Sequence, residues 1–221
     1  MTPSEKLYDA LMRLPIVLFE SYFLVREAQG IRQLVAEHPY IGGDWSFVAT
    51  LFARLSVVAF IMVLIVLHLV RRRPVRKYSD WLPKLAALAG ALLTYLILLT
   101  PRAPADPLWD GLSAGVTIAG AVFAMLAALD LGRSVSVMPE ARRLVVEGLY
   151  RRIRHPLYLA QEIAAIGFFL QYRSCQAALI LLVHFFIQLR RMDWEERILA
   201  EAFPDYAQYR RRSWRLVPGV Y

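Results

Sequence analysis

The sequence predicts an all-α integral membrane protein with about five transmembrane helices, a surface helix at the N-terminus and a cytoplasmic helix at the C-terminus. The chain has 221 residues, of which 58% are hydrophobic. Its apolar residues are gathered in long blocks, which is typical of membrane spans rather than of amphipathic helices in a soluble domain. The basic residues lie mainly in the short connections between these blocks, where they control membrane topology.

The formal net charge of +8 is explained by the membrane. In a soluble protein such a charge would suggest a nucleic-acid partner, but the chain contains no zinc-finger, helix-turn-helix or RNA-binding motif. Anionic lipids are the expected partners of its arginines, and no nucleic acid is expected. Cys175 is the only cysteine, so we expect neither an internal disulfide nor a thiolate metal cluster.

Residues 1–46 are predicted as an N-terminal interfacial segment. The apolar stretch from Leu14 to Val25 is limited by Arg13, Glu20 and Arg26. We therefore expect an amphipathic helix that lies on the membrane surface. An additional span is the less favoured alternative, and it would move the N-terminus to the other side of the membrane.

Residues 47–131 are predicted as a three-helix transmembrane region, with spans at 47–70, 82–100 and 108–131. A helix of 19 residues covers about 28 Å, close to one hydrocarbon thickness. The third span is rich in Gly and Ala. Small residues let helix backbones approach closely in lipid, so this span is expected to pack inside the bundle. The alternative is that its small residues have no packing role, because Gly and Ala are common in membrane spans.

Residues 132–221 form the third region, which contains a basic loop, two short apolar runs and a polar tail. The runs at 157–170 and 174–189 are separated by three residues. They predict a tight helical hairpin, with a single long buried helix as the alternative. Because arginine-rich connections alternate with nearly neutral ones, the positive-inside rule places the basic loop and the tail in the cytoplasm, with the N-terminus on the opposite side.

The basic loop concentrates polar chemistry at a membrane surface. Six arginines lie between positions 133 and 154, and Arg154-His155-Pro156 leads into the hairpin. Each feature has a structural explanation, because Pro is favoured in the first turn of a helix and Arg can reach lipid phosphate. A cluster of His, Arg and Tyr at this surface can also hold a small charged cofactor.

The tail carries a pair of carboxylates, Glu195 and Glu196, followed by an aromatic stripe of Phe203, Tyr206 and Tyr209. A helix resting on headgroups, with aromatic residues inward and arginines toward phosphate, is the structural explanation. The two carboxylates are also predicted to face the arginine-rich loop, where they can accept hydrogen bonds from a ligand.

These motifs together resemble the isoprenylcysteine carboxyl methyltransferase family. The resemblance covers about residues 130–221, and its cofactor motif lies in residues 144–159. Its C-terminal block consists of Arg191, Glu195, Glu196, Leu199, Phe203, Tyr206, Tyr209, Arg215 and Pro218. Two positions depart from the family pattern: Leu149 stands where Pro is usual, and Ala160 where Gly is frequent. Both changes keep the polar groups.

The resemblance implies an integral membrane methyltransferase that uses S-adenosylmethionine and has its active site on the cytoplasmic face. The cofactor pocket is then formed by the basic loop, the cytoplasmic end of the hairpin and the C-terminal helix. The residues expected to bind the cofactor are Gly148, Tyr150, Arg154, His155, Tyr158, Glu196, Tyr206 and Tyr209. The catalytic candidates are Arg191, Glu195 and Arg215, and no metal is expected.

Individual roles follow from the chemistry of the cofactor. Arg154 or His155 can hold its carboxylate, and Glu195 or Glu196 can accept hydrogen bonds from its amine or ribose hydroxyls. The aromatic residues of the tail, Tyr206 among them, can close the pocket. Methyl transfer from a sulfonium is a direct displacement that requires alignment and exclusion of water rather than a protein nucleophile.

The acceptor is expected to be lipophilic, and its best candidate is the carboxylate of an isoprenylcysteine-like or isoprenoid compound. Arg191 or Arg215 could orient such a carboxylate, because Arg binds carboxylates in a bidentate manner. A phospholipid or another lipid is an alternative acceptor, and an amine acceptor would need a glutamate as base. Two further alternatives are an NADPH-dependent enzyme like the sterol reductases, which share an Arg-His-Pro-x-Tyr element, and a non-enzymatic lipid-binding protein.

Overall fold

The computed structural model describes residues 3–37 and 45–221, with side chains described from position 13 onward. The α-helices of these ranges are α1 (Pro3–Glu37), α2 (Trp45–Val70), α3 (Trp81–Leu92), α4 (Pro107–Leu131), α5 (Pro156–Tyr172), α6 (Cys175–Ala202) and α7 (Tyr206–Arg211). A 3₁₀ helix, Leu93–Leu99, continues α3, and the short strands β1 (Arg76–Lys77) and β2 (Glu140–Ala141) pair antiparallel.

Four helical segments within the described ranges are long and apolar enough to cross a membrane. They are Trp45–Val70, Trp81–Leu99, Pro107–Ser134 and Cys175–Ala202. The predicted all-α integral membrane fold is thus confirmed. The helix α5 has 17 residues, which cover about 26 Å, slightly less than a hydrocarbon core. The predicted number of five spans is therefore approximate.

The predicted helical hairpin is formed by α5 and α6, which are joined only by Arg173 and Ser174. The backbone of Arg173 adopts the left-handed conformation with φ of 42°, which ends α5. The side chain of Ser174 then accepts a hydrogen bond from the backbone N–H of Ala177 at 3.1 Å and caps α6. A single long helix, the alternative, is therefore excluded.

The close packing of α4 against α5 explains the small residues of the third span. The buried residues of α4 recur at helical spacing and are all small: Ser113, Ala114, Thr117, Gly120, Ala121, Ala124, Ala127 and Ala128. A Cβ atom on Gly120 would lie only 2.5 Å from the backbone nitrogen of Ala164 in α5. Of the two interpretations of this span, packing inside the bundle is the correct one.

The N-terminal helix α1 packs against α2 along most of its length. Arg13 donates to a backbone carbonyl at the C-terminal end of α2 at 2.8 Å, and Glu27 pairs with Arg54 in the first half of α2 at 3.0 Å. This antiparallel arrangement is compatible with the additional span, but α1 is not among the four described segments that are long and apolar enough to cross a membrane. The surface helix expected within residues 1–46 therefore stays a prediction. Residues 38–44 of that segment lie outside the described ranges.

A buried pair of a carboxyl group and an imidazole joins α1 to the last turn of α2. Oε1 of Glu20 lies 2.9 Å from Nδ1 of His68, and both side chains are buried. Ionisable side chains among apolar helices are costly unless they are paired. Glu20, one of the three charges that argued against a span of α1, therefore has a partner on α2.

We expect Gly120→Ala to lower the free energy of unfolding by about 1–3 kcal/mol, because the added methyl group must separate α4 from α5. Gly115→Ala is the matched control on the same helix, since nothing lies within 4 Å of its added Cβ. Thermal unfolding of both variants in the same detergent measures the difference. Equal stability of the two variants would contradict the close packing.

We also expect a tag at the N-terminus and a tag at the C-terminus to lie on the same side of the membrane. The contacts of Arg13 place the start of α1 beside the end of α2, and the loop after α2 contacts α6 through a hydrogen bond from Tyr78 to the carbonyl of Trp194. Protease protection of the two tags in sealed vesicles tests this arrangement. Tags on opposite sides would support the surface-helix interpretation.

Candidate functional site

The turn that begins the predicted cofactor motif depends on Gly148. Its φ is +58°, a conformation that L side chains rarely adopt, and a Cβ there would collide with the carboxylate of Asp130. The same carboxylate accepts a hydrogen bond from the backbone N–H of Leu149 at 2.7 Å. Gly148 thus fastens the loop to the end of α4, and its predicted contact with the cofactor stays a prediction.

The C-terminal segment is bound to the loop by backbone hydrogen bonds. The N–H of Arg154 donates to the carbonyl of Trp214 at 2.8 Å, and the N–H of His155 donates to that of Arg215 at 3.1 Å. In the opposite direction, the N–H of Trp214 donates to the backbone carbonyl of Arg152 at 2.8 Å. The two predicted parts of the site, the loop and the tail, therefore lie side by side.

Glu196 of α6 gathers three cationic or imidazole groups around one carboxylate oxygen. Its Oε1 lies 3.1 Å from Nε of Arg154, from Nε of Arg215 and from Nε2 of His155. Oε2 lies 3.8 Å from the exposed Arg210. Glu196 is 8% exposed, so these partners replace the water that the carboxylate loses on burial.

This arrangement gives Glu196 a function that its spacing in the sequence did not reveal. The sequence predicts an acceptor for the cofactor amine or ribose, whereas Oε1 is already surrounded by groups of the protein. Its evident effect is to hold Arg154, His155 and Arg215 together. Contact between Glu196 and a cofactor stays a prediction.

The neighbouring Glu195 lies on the side of the site that faces α5. Its Oε2 accepts a hydrogen bond from the hydroxyl of Tyr158 at 2.8 Å and lies 3.9 Å from Nδ1 of His155. The guanidinium of Arg191 stacks over the Tyr158 ring at 5.0 Å from its centroid. A third of the Glu195 side chain remains exposed, so this carboxylate is accessible to a ligand.

Three buried tyrosines close the site from the side of α7. The hydroxyl of Tyr209 donates to the carbonyl of Tyr150 at 2.7 Å. Within the described part of the chain, the buried hydroxyl of Tyr206 has no hydrogen-bond partner. Burial raises the pKa of Tyr209 to about 12 and also raises the pKa of Tyr150 and Tyr206. All three are therefore protonated hydrogen-bond donors at neutral pH.

An open cavity of about 300 Å³ adjoins these groups. Its lining consists of Arg154, Asp193, Glu196, Arg210, Ser213, Trp214, Arg215 and Tyr221. A second cavity of about 460 Å³ lies beside it and is lined by Ala200, Pro204, Tyr206, Ala207, Arg210 and Arg211. Arg210 contributes to both cavities. The site thus offers positive and negative groups next to a small apolar surface.

The structure also assigns residues that sequence reasoning missed. Asp193 pairs with the guanidinium of Arg215, and Arg154 donates to the carbonyl of Ser213 at 2.6 Å. Asp193 lies three residues before Glu196, so both carboxylates share one face of α6. That spacing could have identified Asp193 as part of the site from the sequence. No sequence pattern indicates the hydrogen bond from Arg154 to the Ser213 carbonyl.

The fold and the site together define a multi-pass membrane protein with a polar site at one end of its helices. Residues 111–206 match the phospholipid methyltransferase family. The matched part contains most of the loop, the hairpin and most of the site, so the resemblance expected from the motifs is found there as a similarity to a membrane methyltransferase family. No curated protein shows significant similarity to the chain.

The chain is also similar to a solved structure of the eukaryotic intramembrane Ras methyltransferase ICMT, isoprenylcysteine carboxyl methyltransferase. The sequence identity is 15% and the TM-score is 0.47, and the similarity covers 100% of this chain and 99% of the other.

We expect Glu196→Gln to destabilise the protein by about 3 kcal/mol, because it leaves the largely buried guanidinium of Arg154 without a counter-charge. Glu201→Gln is the control, since Glu201 forms a largely exposed pair with Arg76 and should lose less than about 1 kcal/mol. Thermal unfolding and limited proteolysis of the tail after residue 202 measure both effects. A tail equally resistant to protease in both variants would show that Glu196 does not hold it.

Proposed function

We propose that the protein is an S-adenosylmethionine-dependent methyltransferase whose acceptor is the carboxylate of an isoprenylcysteine-like or isoprenoid compound. The observation that carries this proposal is the cluster around Glu196. It brings Arg154 and Arg215 from two distant parts of the chain to one open cavity at the end of membrane helices, with His155 bound to the same carboxylate. The family match to residues 111–206 supports the class of reaction.

The groups at the cavity suit the proposed cofactor, which supplies an electrophilic methyl group on a sulfonium. Arg154 and Arg215 are suited to its carboxylate, and the accessible oxygens of Glu195 are suited to its amine or ribose hydroxyls. The buried hydroxyl of Tyr206 lacks a partner within the described ranges, and a buried donor of this kind needs an acceptor. His155 and the tyrosines would form the walls.

The residues of the chain would act by binding, orienting and excluding water rather than by covalent catalysis. The hydrogen bonds around Glu196 hold the guanidinium groups in place before a ligand arrives, which reduces the entropy lost on binding. Tyr150 and Tyr209 are both buried, and the Tyr209 hydroxyl donates to the backbone carbonyl of Tyr150, so this wall of the site excludes solvent.

The acceptor carboxylate would be oriented by Arg191, on the side of the site that faces the hairpin. Arg191 is buried at the end of the apolar part of α6, where a lipophilic molecule can approach from the bilayer. Arg215 is assigned to the cofactor instead, because it lines the open cavity beside Arg154. The arginine-rich loops support a cytoplasmic position of the site.

A phospholipid acceptor is the second candidate, and the description of the matching family favours it. A headgroup amine would have to lose a proton on methylation, and Glu195 is the accessible carboxylate that could take it. The family match favours both methyl acceptors over the reductase alternative.

The proposal is tested by transfer of a labelled methyl group from S-adenosylmethionine to prenylcysteine analogues and to lipid extracts. We expect transfer to a prenylcysteine carboxylate, and we expect His155→Ala to lower kcat/KM by about 100-fold because alignment is lost. Glu201→Gln should leave the activity unchanged. Absence of labelled product together with absence of cofactor binding in calorimetry would refute the proposal.

The pH dependence separates the two acceptors. A carboxylate acceptor has a pKa of about 4, so it is already ionised and its methylation rate should not change between about pH 6 and pH 8. An amine acceptor must be deprotonated, so its rate should rise with pH over that range. A flat profile with the prenylcysteine analogue supports the carboxylate acceptor, and a profile that rises about tenfold per pH unit contradicts it.

A further inference from the structure

A second cluster of buried polar groups lies deeper in the bundle, between α3, α5 and α6. His184 and Glu162 are both buried, and Nδ1 of His184 lies 2.9 Å from Oε1 of Glu162. Nε2 of His184 lies 3.0 Å from the carbonyl oxygen of Gly90 in α3. Ionisable side chains at such a depth are costly and mark a functional site.

The contact with Gly90 fixes which ring nitrogen of His184 is the donor. A carbonyl oxygen only accepts, so Nε2 of His184 carries the hydrogen that it donates to Gly90. Nδ1 of His184 lies within ion-pair distance of Oε1 of Glu162. The ring is therefore held between α5 and α3, with Nε2 directed toward α3.

Gly90 lies where the winding of α3 changes. The α-helix ends at Leu92 and the 3₁₀ helix Leu93–Leu99 follows directly. A 3₁₀ helix bonds residues three apart instead of four, and such changes of winding within a helix often mark hinges. His184 supplies a donor at this joint between the two helices and thereby attaches it to α6.

The junction between α3 and the 3₁₀ helix also packs against Arg191, the arginine proposed to bind the acceptor. A Cβ on Gly90 would lie 2.6 Å from Cδ of Arg191 and 3.1 Å from Oε1 of Gln188. Nη1 of Arg191 donates to Gln188 at 2.6 Å, and Gln188 donates to Gln161 at 3.0 Å. Movement of α3 at Gly90 would therefore release the packing that holds Arg191 over Tyr158.

We propose that Glu162 and His184 are positioning residues that hold the α3 joint at Gly90 against α6 and thereby keep Arg191 in place for the lipophilic acceptor. This inference rests on the proposed function, in which Arg191 orients the acceptor carboxylate. The two residues act through α3 and Arg191 and do not touch the groups around Glu196. Their loss should therefore affect the acceptor and spare the cofactor.

The test compares His184→Leu with His68→Leu, which breaks the chemically similar buried pair with Glu20 away from the site. With a prenylcysteine analogue, His184→Leu should raise the KM about tenfold or more, since small misplacements of an orienting group are costly. The Kd of S-adenosylmethionine in calorimetry should not change. His184→Gln should recover much of the acceptor KM, because its amide can still donate to Gly90.

A second measurement separates failure of this inference from failure of the proposed function. Hydrogen exchange of the backbone amides in residues 91–99 should be faster in His184→Leu than in wild type and unchanged in His68→Leu. Equal exchange, or an acceptor KM that changes no more in His184→Leu than in His68→Leu, overturns the inference. A wild-type protein without any methyl transfer overturns the proposed function, and the exchange rates then still decide whether His184 holds the joint.

Discussion

The arrangement of the site depends on the burial of one carboxylate, that of Glu196. Alone, this group would lose its hydration at a cost of several kcal/mol, and Arg154 and Arg215 would repel each other across the same space. Together they offset these penalties, so the loop before α5 and the C-terminal segment stabilise each other. The three backbone hydrogen bonds between residues 152–155 and 214–215 then fix their register.

The membrane helices supply a rigid frame for this polar assembly. The small residues of α4 allow α5 to approach at backbone distance, which sets the position of the hairpin. Polar pairs then continue down the hairpin, from Tyr158 and Glu195 to Glu162 and His184. In lipid, such contacts between helices contribute about 0.6–2 kcal/mol each and specify which faces meet. The frame and the site are therefore linked through the same two helices.

The residues that form the site could be predicted from their spacing in the sequence. The hydrogen bonds and ion pairs between those residues could not. The order Arg154-His155-Pro156 and the Glu195-Glu196 pair identified the two parts that meet in the structure. Which carboxylate oxygen faces which guanidinium depends on helix rotation and on the return of the tail. For that reason, Glu196 was predicted as a ligand acceptor although its Oε1 is surrounded by protein groups.

The sequence by itself determined the membrane class, the spans and the hairpin, because apolar blocks, helix caps and turn residues act over a few neighbouring positions. Only the tertiary structure decided the placement of α1 and the structural task of Glu196. Glu20 is paired with a residue 48 positions away, and Glu196 with residues 41 and 42 positions away. From the sequence alone, a charged residue is expected to be exposed to solvent. Whether it is instead buried against a partner depends on how helices that are distant in the sequence pack together.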